Sequence, residues 1–271
     1  MLYIFSAIYA EAKAVIRERK LRKVPGQGAF PQFADAAGGI LLTLSGTGNA
    51  AAAAAAAATL AARRPGPNDI VLTLGTCAGR PEQQGNVYLC NCLKELSSGR
   101  TFYPDMRAAL PFPEAALVTG NAVSRHPDSL YDMEATALYQ AAGYFVGPHQ
   151  MVFLKAVSDA GTGERMGAEL LEQTMNRPEI LDAVDTLWRI SMEEPQRALT
   201  EEQEALLQQA EKDLCCSSTM AHTLRQYFTY AALAGGAPET ALRAMYEDGR
   251  LPAASRQEGK KHLAELEQAL L

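Results

Sequence analysis

The run Tyr131-Asp132-Met133-Glu134-Ala135-Thr136-Ala137 sets a carboxylate, Glu134, among small and apolar residues at the expected opening of a helix. Ser158-Asp159 follows about one helix and one strand later, closing the apolar run 152–157. A buried carboxylate has to be paired or hydrogen-bonded, so Glu134 calls for a partner in the protein or in a ligand. A carboxylate opening a helix and another ending a strand can face one cleft, where they could move a proton or hold polar groups of a ligand. A third acid, Glu11, stands just beyond the first apolar run. Glutamate in a first helical turn also simply complements the helix dipole, and Asp159 could equally cap the segment that follows it.

Two loops of small residues accompany these acids. Ser45-Gly46-Thr47-Gly48 lies between an expected strand and an alanine-rich helix, and Gly75-Thr76-Cys77-Ala78-Gly79 is expected to end the next strand. Glycines let a backbone approach a ligand, and a helix start offers free N–H groups. No Gly-Lys-Ser/Thr follows, so neither loop is a Walker loop; each could also be only a crowded turn. Both sit where α/β proteins bind ligands, at the carboxyl edge of a sheet. Of the histidines, His126 and His149 fall near this region, His126 more in the manner of a locally bonded loop residue than of a ligand contact. No Ser-His-Asp order and no H-E-x-x-H motif is present.

The elements that must position these residues alternate. Strands are expected over 2–7, 39–44, 69–74, 86–93, 116–119 and 151–157, and helices over 11–19, 49–64 and 131–143. The pattern predicts an α/β fold with a largely buried sheet. The helix after Asn49, a good N-cap, opens with the nine alanines Ala50–Ala58; alanine has the best helix propensity and leaves a smooth side for close packing. From about 168 the signal is helical throughout: 168–175, 178–193, 200–213, 218–234, 238–248 and 254–270. Thr200-Glu201-Glu202-Gln203 is a capping-box pattern, while Pro195 and Gly235-Gly236 punctuate the run. The division drawn is an α/β domain over 1–195 and a helical C-terminal extension over 196–271. The extension has no catalytic signature, and its Leu206, Leu207, Leu214, Leu224 and Tyr227 are expected to bury against the α/β body or a second subunit.

Composition narrows the function classes. The 271 residues are 48% hydrophobic and 21% charged, with net charge −6. The cluster 17–23 and Lys260-Lys261 are the main basic runs, the former expected to be a solvated helix end, so nucleic-acid binding has no electrostatic support. No apolar run approaches the roughly 20 residues of a membrane helix. The apolar start, 1–10, fits a first buried strand rather than a signal peptide. Cys77, Cys90, Cys92, Cys215 and Cys216 match no common zinc spacing, and their odd number suits reduced thiols and a cytoplasmic location. No cofactor or metal is expected.

Taken in order, Glu11, Ser45-Gly46-Thr47-Gly48, Gly75-Thr76-Cys77-Ala78-Gly79, Met133-Glu134-Ala135-Thr136-Ala137 and Ser158-Asp159 resemble the nucleoside phosphorylase and nucleosidase superfamily. The methylthioadenosine/S-adenosylhomocysteine nucleosidases are the most similar branch, over about 1–190. The resemblance implies a three-layer fold with a central mixed, partly barrel-like sheet flanked by helices. It implies homo-oligomers, most often a dimer, and cleavage of a purine nucleoside at its N-glycosidic bond.

It also implies roles. Asp159 would protonate the purine at N7, with Ser158 beside it; Glu134 would bind the ribose hydroxyls and Met133 line the ribose face. Glu11 would deprotonate the attacking water, and Thr76, with Gly75, would position it or a ribose oxygen. Lys155 stands where such nucleosidases often carry arginine, keeping the charge but not the planar fork. Phosphorylases of this kind hold phosphate with an arginine where this chain has Thr73. Hydrolysis is therefore favoured, acting on an adenosine derivative modified at the 5′ position. A phosphate-using purine nucleoside phosphorylase and a nucleoside-binding protein without turnover are the alternatives. The segment 101–105 could add an aromatic wall.

Overall fold

The computed structural model describes residues 1–25, 28–105, 107–126, 128–161, 167–193 and 198–270. Met106 and Pro195 lie outside them. The chain divides into two compact units, Met1–Pro195 and Gln196–Leu271.

The first unit runs β1 (Leu2–Ser6), α1 (Tyr9–Glu18), β2 (Arg22–Lys23), β3 (Gln32–Ala34), β4 (Ile40–Leu44), α2 (Asn49–Arg63), β5 (Ile70–Ala78), β6 (Val87–Glu95), β7 (Thr101–Phe102), β8 (Glu114–Thr119), β9 (Leu130–Asp132), α3 (Ala135–Ala142), β10 (Met151–Asp159), α4 (Ala168–Met175) and α5 (Pro178–Met192). These strands form one mixed sheet. Five of them close a ring: β5 pairs with β10, β10 with β6, β6 with β8, β8 with β9, and β9 returns to β5. Outside the ring β1 and β4 extend the sheet in parallel, and β3 and β2 finish it antiparallel.

Side chains alternate across this sheet as strand geometry requires. Leu2 and Ile4 join Leu42, Leu72 and Leu154 under Val15 of α1, Met175 of α4 and Val184 of α5. Tyr3 and Phe5 join Leu41, Val71 and Phe153 under Ala52, Ala55 and Leu60 of α2 and Leu138 of α3. The architecture is thus a three-layer α/β fold with a barrel-like mixed sheet flanked by helices. Ala52, Ala55 and Ala56, at helical spacing, are wholly buried; the smooth side of the alanine run packs inward within the unit.

Four local expectations change. The helix expected over 131–143 begins only at Ala135, because Leu130–Asp132 is a strand that closes the ring; Glu134 is the N-cap. The strand expected to stop at Leu74 continues to Ala78, held by β10 along its length. Gly48, not Asn49, caps α2, and the Asn49 amide reaches instead to the Gly120 carbonyl and to Asn121. Arg22 and Lys23 form a short exposed strand with β3 rather than a helix end.

The second unit comprises α6 (Glu201–Asp213), α7 (Ser218–Leu233), α8 (Pro238–Glu247) and α9 (Arg256–Leu270). Thr200 accepts the Gln203 amide and Gln203 reaches back to the Thr200 amide, completing a capping box. The leucines expected to bury against the α/β body or a second subunit contribute to a core within this unit. Leu207, Leu214 and Leu224 are in one core with Phe228, Leu242 and Leu263, with Leu206 packed at its margin. Tyr227 is half-buried and donates its hydroxyl to Glu267 at 2.8 Å.

Candidate active site

An unusual sharing of β5 builds the floor of the site. One edge is taken by β10 from Val71 to Ala78. The other is taken by β1 from Ile70 to Thr73 and by β9 only at Ala78. Thr76 lies between these partners, and its amide donates to Glu11 Oε1 at 2.8 Å, its hydroxyl to the same oxygen at 2.7 Å. The other carboxylate oxygen, Oε2, accepts the amides of Ala7 and Ile8 at 3.0 and 3.2 Å. Glu11 therefore caps the start of α1 and bridges to β5 at once. A Cβ on Gly75 would stand 3.2–3.3 Å from the Glu11 carboxylate, tighter than ordinary contact, so the carboxylate would have to give way.

Glu134 is held by the small-residue loop Ser45-Gly46-Thr47-Gly48. Its Oε1 accepts the Gly48 amide at 2.7 Å, and Oε2 accepts the Met133 amide at 3.3 Å. Gly48 has φ 95°, a conformation side chains resist, and that aims its N–H at the carboxylate. Burial pushes the Glu134 carboxyl above the usual glutamate range; Lys155 pulls it back, while Asp132 and Glu11 add to the rise and the Gly48 amide opposes it.

Asp159 ends β10. Its Oδ2 accepts the Ser158 hydroxyl at 2.8 Å and its Oδ1 the Gly161 amide at 2.6 Å. The Ser158 hydroxyl also lies 3.3 Å from the Cys77 carbonyl.

These groups surround one cavity of about 290 Å³. Glu11, Thr76, Met133, Glu134, Ser158 and Asp159 all line it, as do Thr47 and Cys77. Its described lining carries four carboxylates, Glu11, Asp132, Glu134 and Asp159, and neither lysine nor arginine. Ile8, Val123 and Leu171 give it an apolar part.

Lys155 and Gly75 are beside the cavity rather than on its wall. Lys155 points into the ring, where its ammonium meets Asp132 at 2.8 Å, with both side chains almost wholly buried. Asp132 also accepts the Thr119 hydroxyl at 2.6 Å and the Ala135 amide at 3.0 Å. Burial works against the lysine charge, but Asp132, Glu134 and Glu11 outweigh it and raise its pKa, so the ammonium is the form present. Lys155 is thus buried beneath the acids, paired with Asp132. Gly75, Thr73 and Lys155 border a separate void of about 10 Å³, with Glu134 on its wall.

Asp132 stood inside the sequence stretch that pointed to Glu134 and was given no role. Its signal was available: an acid and a lysine on two apolar segments must find each other when both are buried. Tyr131, Val123 and Leu171 were also missed as lining residues, having no polar pattern to mark them. The segment 101–105 does not line the cavity; Phe102 packs on Tyr139, ring centroids 5.1 Å apart, with Arg100 over it. His126 accepts the Asp128 amide at 3.3 Å, a local turn contact. Among the described residues no group of three side chains could hold a metal ion, and no helix is long and apolar enough to cross a membrane.

No protein-family model and no curated protein sequence matches this chain. Solved structures do. A 5′-methylthioadenosine nucleosidase of Arabidopsis thaliana superposes with a TM-score of 0.56 at 18% identity, covering 72% of this chain and 96% of that one. A Helicobacter pylori nucleosidase, an Asp-to-Asn mutant with 5′-methylthioadenosine in its active site, gives 0.53 at 13% identity, over 69% of this chain and 96% of that one. The futalosine hydrolase of Helicobacter pylori gives 0.51 at 12% identity, again over 69% and 96%. Each neighbour is spanned almost whole, while over a quarter of this chain has no counterpart in it. This chain shares the fold of these solved nucleosidase and hydrolase structures.

Proposed function

We propose that this chain hydrolyses the N-glycosidic bond of a purine nucleoside, an adenosine derivative modified at the 5′ position, and releases the free base. The observation that carries this is the single cavity faced by Glu11, Glu134 and Asp159, with no cation on its described lining. A dianionic phosphate would meet the carboxylates of Glu11, Glu134 and Asp159 there, Asp132 being paired with Lys155, whereas water, hydroxyls and a base nitrogen would meet acceptors and donors suited to them.

A purine leaves a ribosyl carbon poorly unless a ring nitrogen is protonated. Asp159, oriented by Ser158 and Gly161, is the group for N7, and a 6-amino group can donate to the same carboxylate. Glu134 has a free face of Oε2 for the ribose 2′- and 3′-hydroxyls and stabilises the cationic sugar as the bond stretches. Met133 lines the ribose. Glu11 is the base for water. A carboxylate offers about four acceptor positions, and here Ala7, Ile8 and Thr76 occupy four. For water to be activated, the Thr76 hydroxyl must release its bond to Glu11 Oε1, which then takes one proton of the water while the Thr76 oxygen accepts a hydrogen bond from the other water hydrogen. Each acid–base contribution is worth about 10²–10⁴-fold.

The same reading carries a homodimer in the cytoplasm, which sedimentation and fractionation would check. The activity itself is tested by incubating purified protein with a panel of purine nucleosides, with and without phosphate, and measuring free base.

A further inference from the structure

The segment 120–126 covers one side of the cavity, with Val123 and Ser124 on its wall. Both are largely exposed, Val123 at 60%, so apolar burial does not hold them in place. Other contacts do. Tyr131, buried in β9, sends its hydroxyl to the Ala122 carbonyl at 2.9 Å. Its ring lies so near the chain that a Cβ on Gly120 would fall 1.9 Å from that hydroxyl. From α2 the Asn49 amide donates to the Gly120 carbonyl at 3.1 Å and to Asn121 at 2.7 Å. On the far side, a Cβ on Gly161 would lie 2.4 Å from the Ser124 carbonyl and 2.7 Å from the Arg125 Cβ. Gly161 has φ 71° and is the same residue whose amide holds Asp159.

We propose that Tyr131 is a positioning residue: its hydroxyl clamps the segment 120–126 so that Val123 and Ser124 form the wall against the planar base, while Gly161 couples that wall to the carboxylate of Asp159. This rests on the nucleosidase reading for the identity of the ligand, but the clamp is a property of the protein alone. Tyr131 holds the segment by one hydrogen bond to Ala122 and by its ring against Gly120, and Gly161 meets it by close packing; the hydrogen bond can be removed with both packing contacts left in place.

The test uses full-length Tyr131→Phe, which deletes one oxygen, and Gly161→Ala as a second variant. Hydrogen exchange without ligand is expected to accelerate about tenfold at amides in 121–126 in Tyr131→Phe, with β10 and α5 unchanged; unaltered exchange overturns the clamp. With the best nucleoside substrate, KM is expected to rise about tenfold while kcat stays within about twofold. A merely structural loss would lower kcat and the melting temperature and leave KM alone, and that outcome overturns the role in positioning. Gly161→Ala is expected to lower kcat as well, because it disturbs Asp159; a wild-type kcat would overturn the coupling. If the wild-type protein neither binds nor cleaves any purine nucleoside, the nucleosidase reading and the base-facing wall both fail, and the exchange data still decide the clamp.

Discussion

Glu11 is tied by four hydrogen bonds, and the bonds of each other acid define what its substitution should do. Asp159→Asn keeps the shape and can still accept the Gly161 amide through its one oxygen, while its NH2 would donate to the Ser158 hydroxyl instead of accepting from it; it cannot deliver a carboxyl proton. Turnover of an unactivated purine nucleoside is expected to fall about 10²–10⁴-fold with the fold intact; near-normal turnover would remove Asp159 from the chemistry. Glu134→Gln keeps an acceptor and loses the charge, so preference for ribosides over 2′-deoxyribosides is expected to shrink. The pH profile follows from the raised carboxyl of Glu134. A raised acid pKa means the protonated form persists to higher pH in the folded protein, so ribose binding by the carboxylate is lost as pH falls through that raised value. The acid limb of kcat/KM should therefore lie above the pH at which an ordinary glutamate titrates, and should disappear in Glu134→Gln. Lys155→Met leaves Asp132 charged in a buried ring, which costs about 3–5 kcal/mol. Pairing it with Asp132→Asn should restore most of that stability in chemical denaturation, because the lone charge is gone.

At the scale of elements, the loops place the acids through glycines that no side chain can replace cheaply. Gly48→Ala forces a Cβ into φ 95° and turns the amide off Glu134, so KM for ribosides should rise while the α/β circular dichroism is retained. Gly75→Ala would press on the Glu11 carboxylate, and kcat is the parameter expected to drop. The ordered set of acids and small loops was legible because each lies at an end of a strong local pattern. Strands β1, β4 and β10 and the long helices were legible for the same reason. What the sequence hid was non-local. Tyr131 and Asp132 belong to a strand only because β9 closes the ring against β5 and β8, a pairing over long separations that helical propensity at Ala135–Ala142 masks. Thr76 and Cys77 read as loop because small residues favour turns, yet β10 holds them in extended form. Lys155 was marked only by the resemblance, as the place of an arginine; its partner Asp132 lies on β9 and was not visible until the ring closed.

At the scale of the whole molecule, the described acids of the site all lie in Met1–Pro195, and the helices after it have a core of their own. Glycine at 259 lets α9 approach α6 closely, since a Cβ there would stand 1.8 Å from the Leu214 carbonyl. Residues 196–271 expressed alone are expected to melt cooperatively as a helical unit, and Gly259→Val to abolish that transition. A chain cut at about 195 is expected to keep the hydrolase activity; a well-folded but inactive fragment would put the tail in the site.

The most direct test is the release of free base from purine nucleosides with and without inorganic phosphate. Free adenine and free sugar are expected from a 5′-modified adenosine at the same rate in both conditions, with little sugar phosphate formed. Strict dependence on phosphate, or tight binding with no base released, would contradict it.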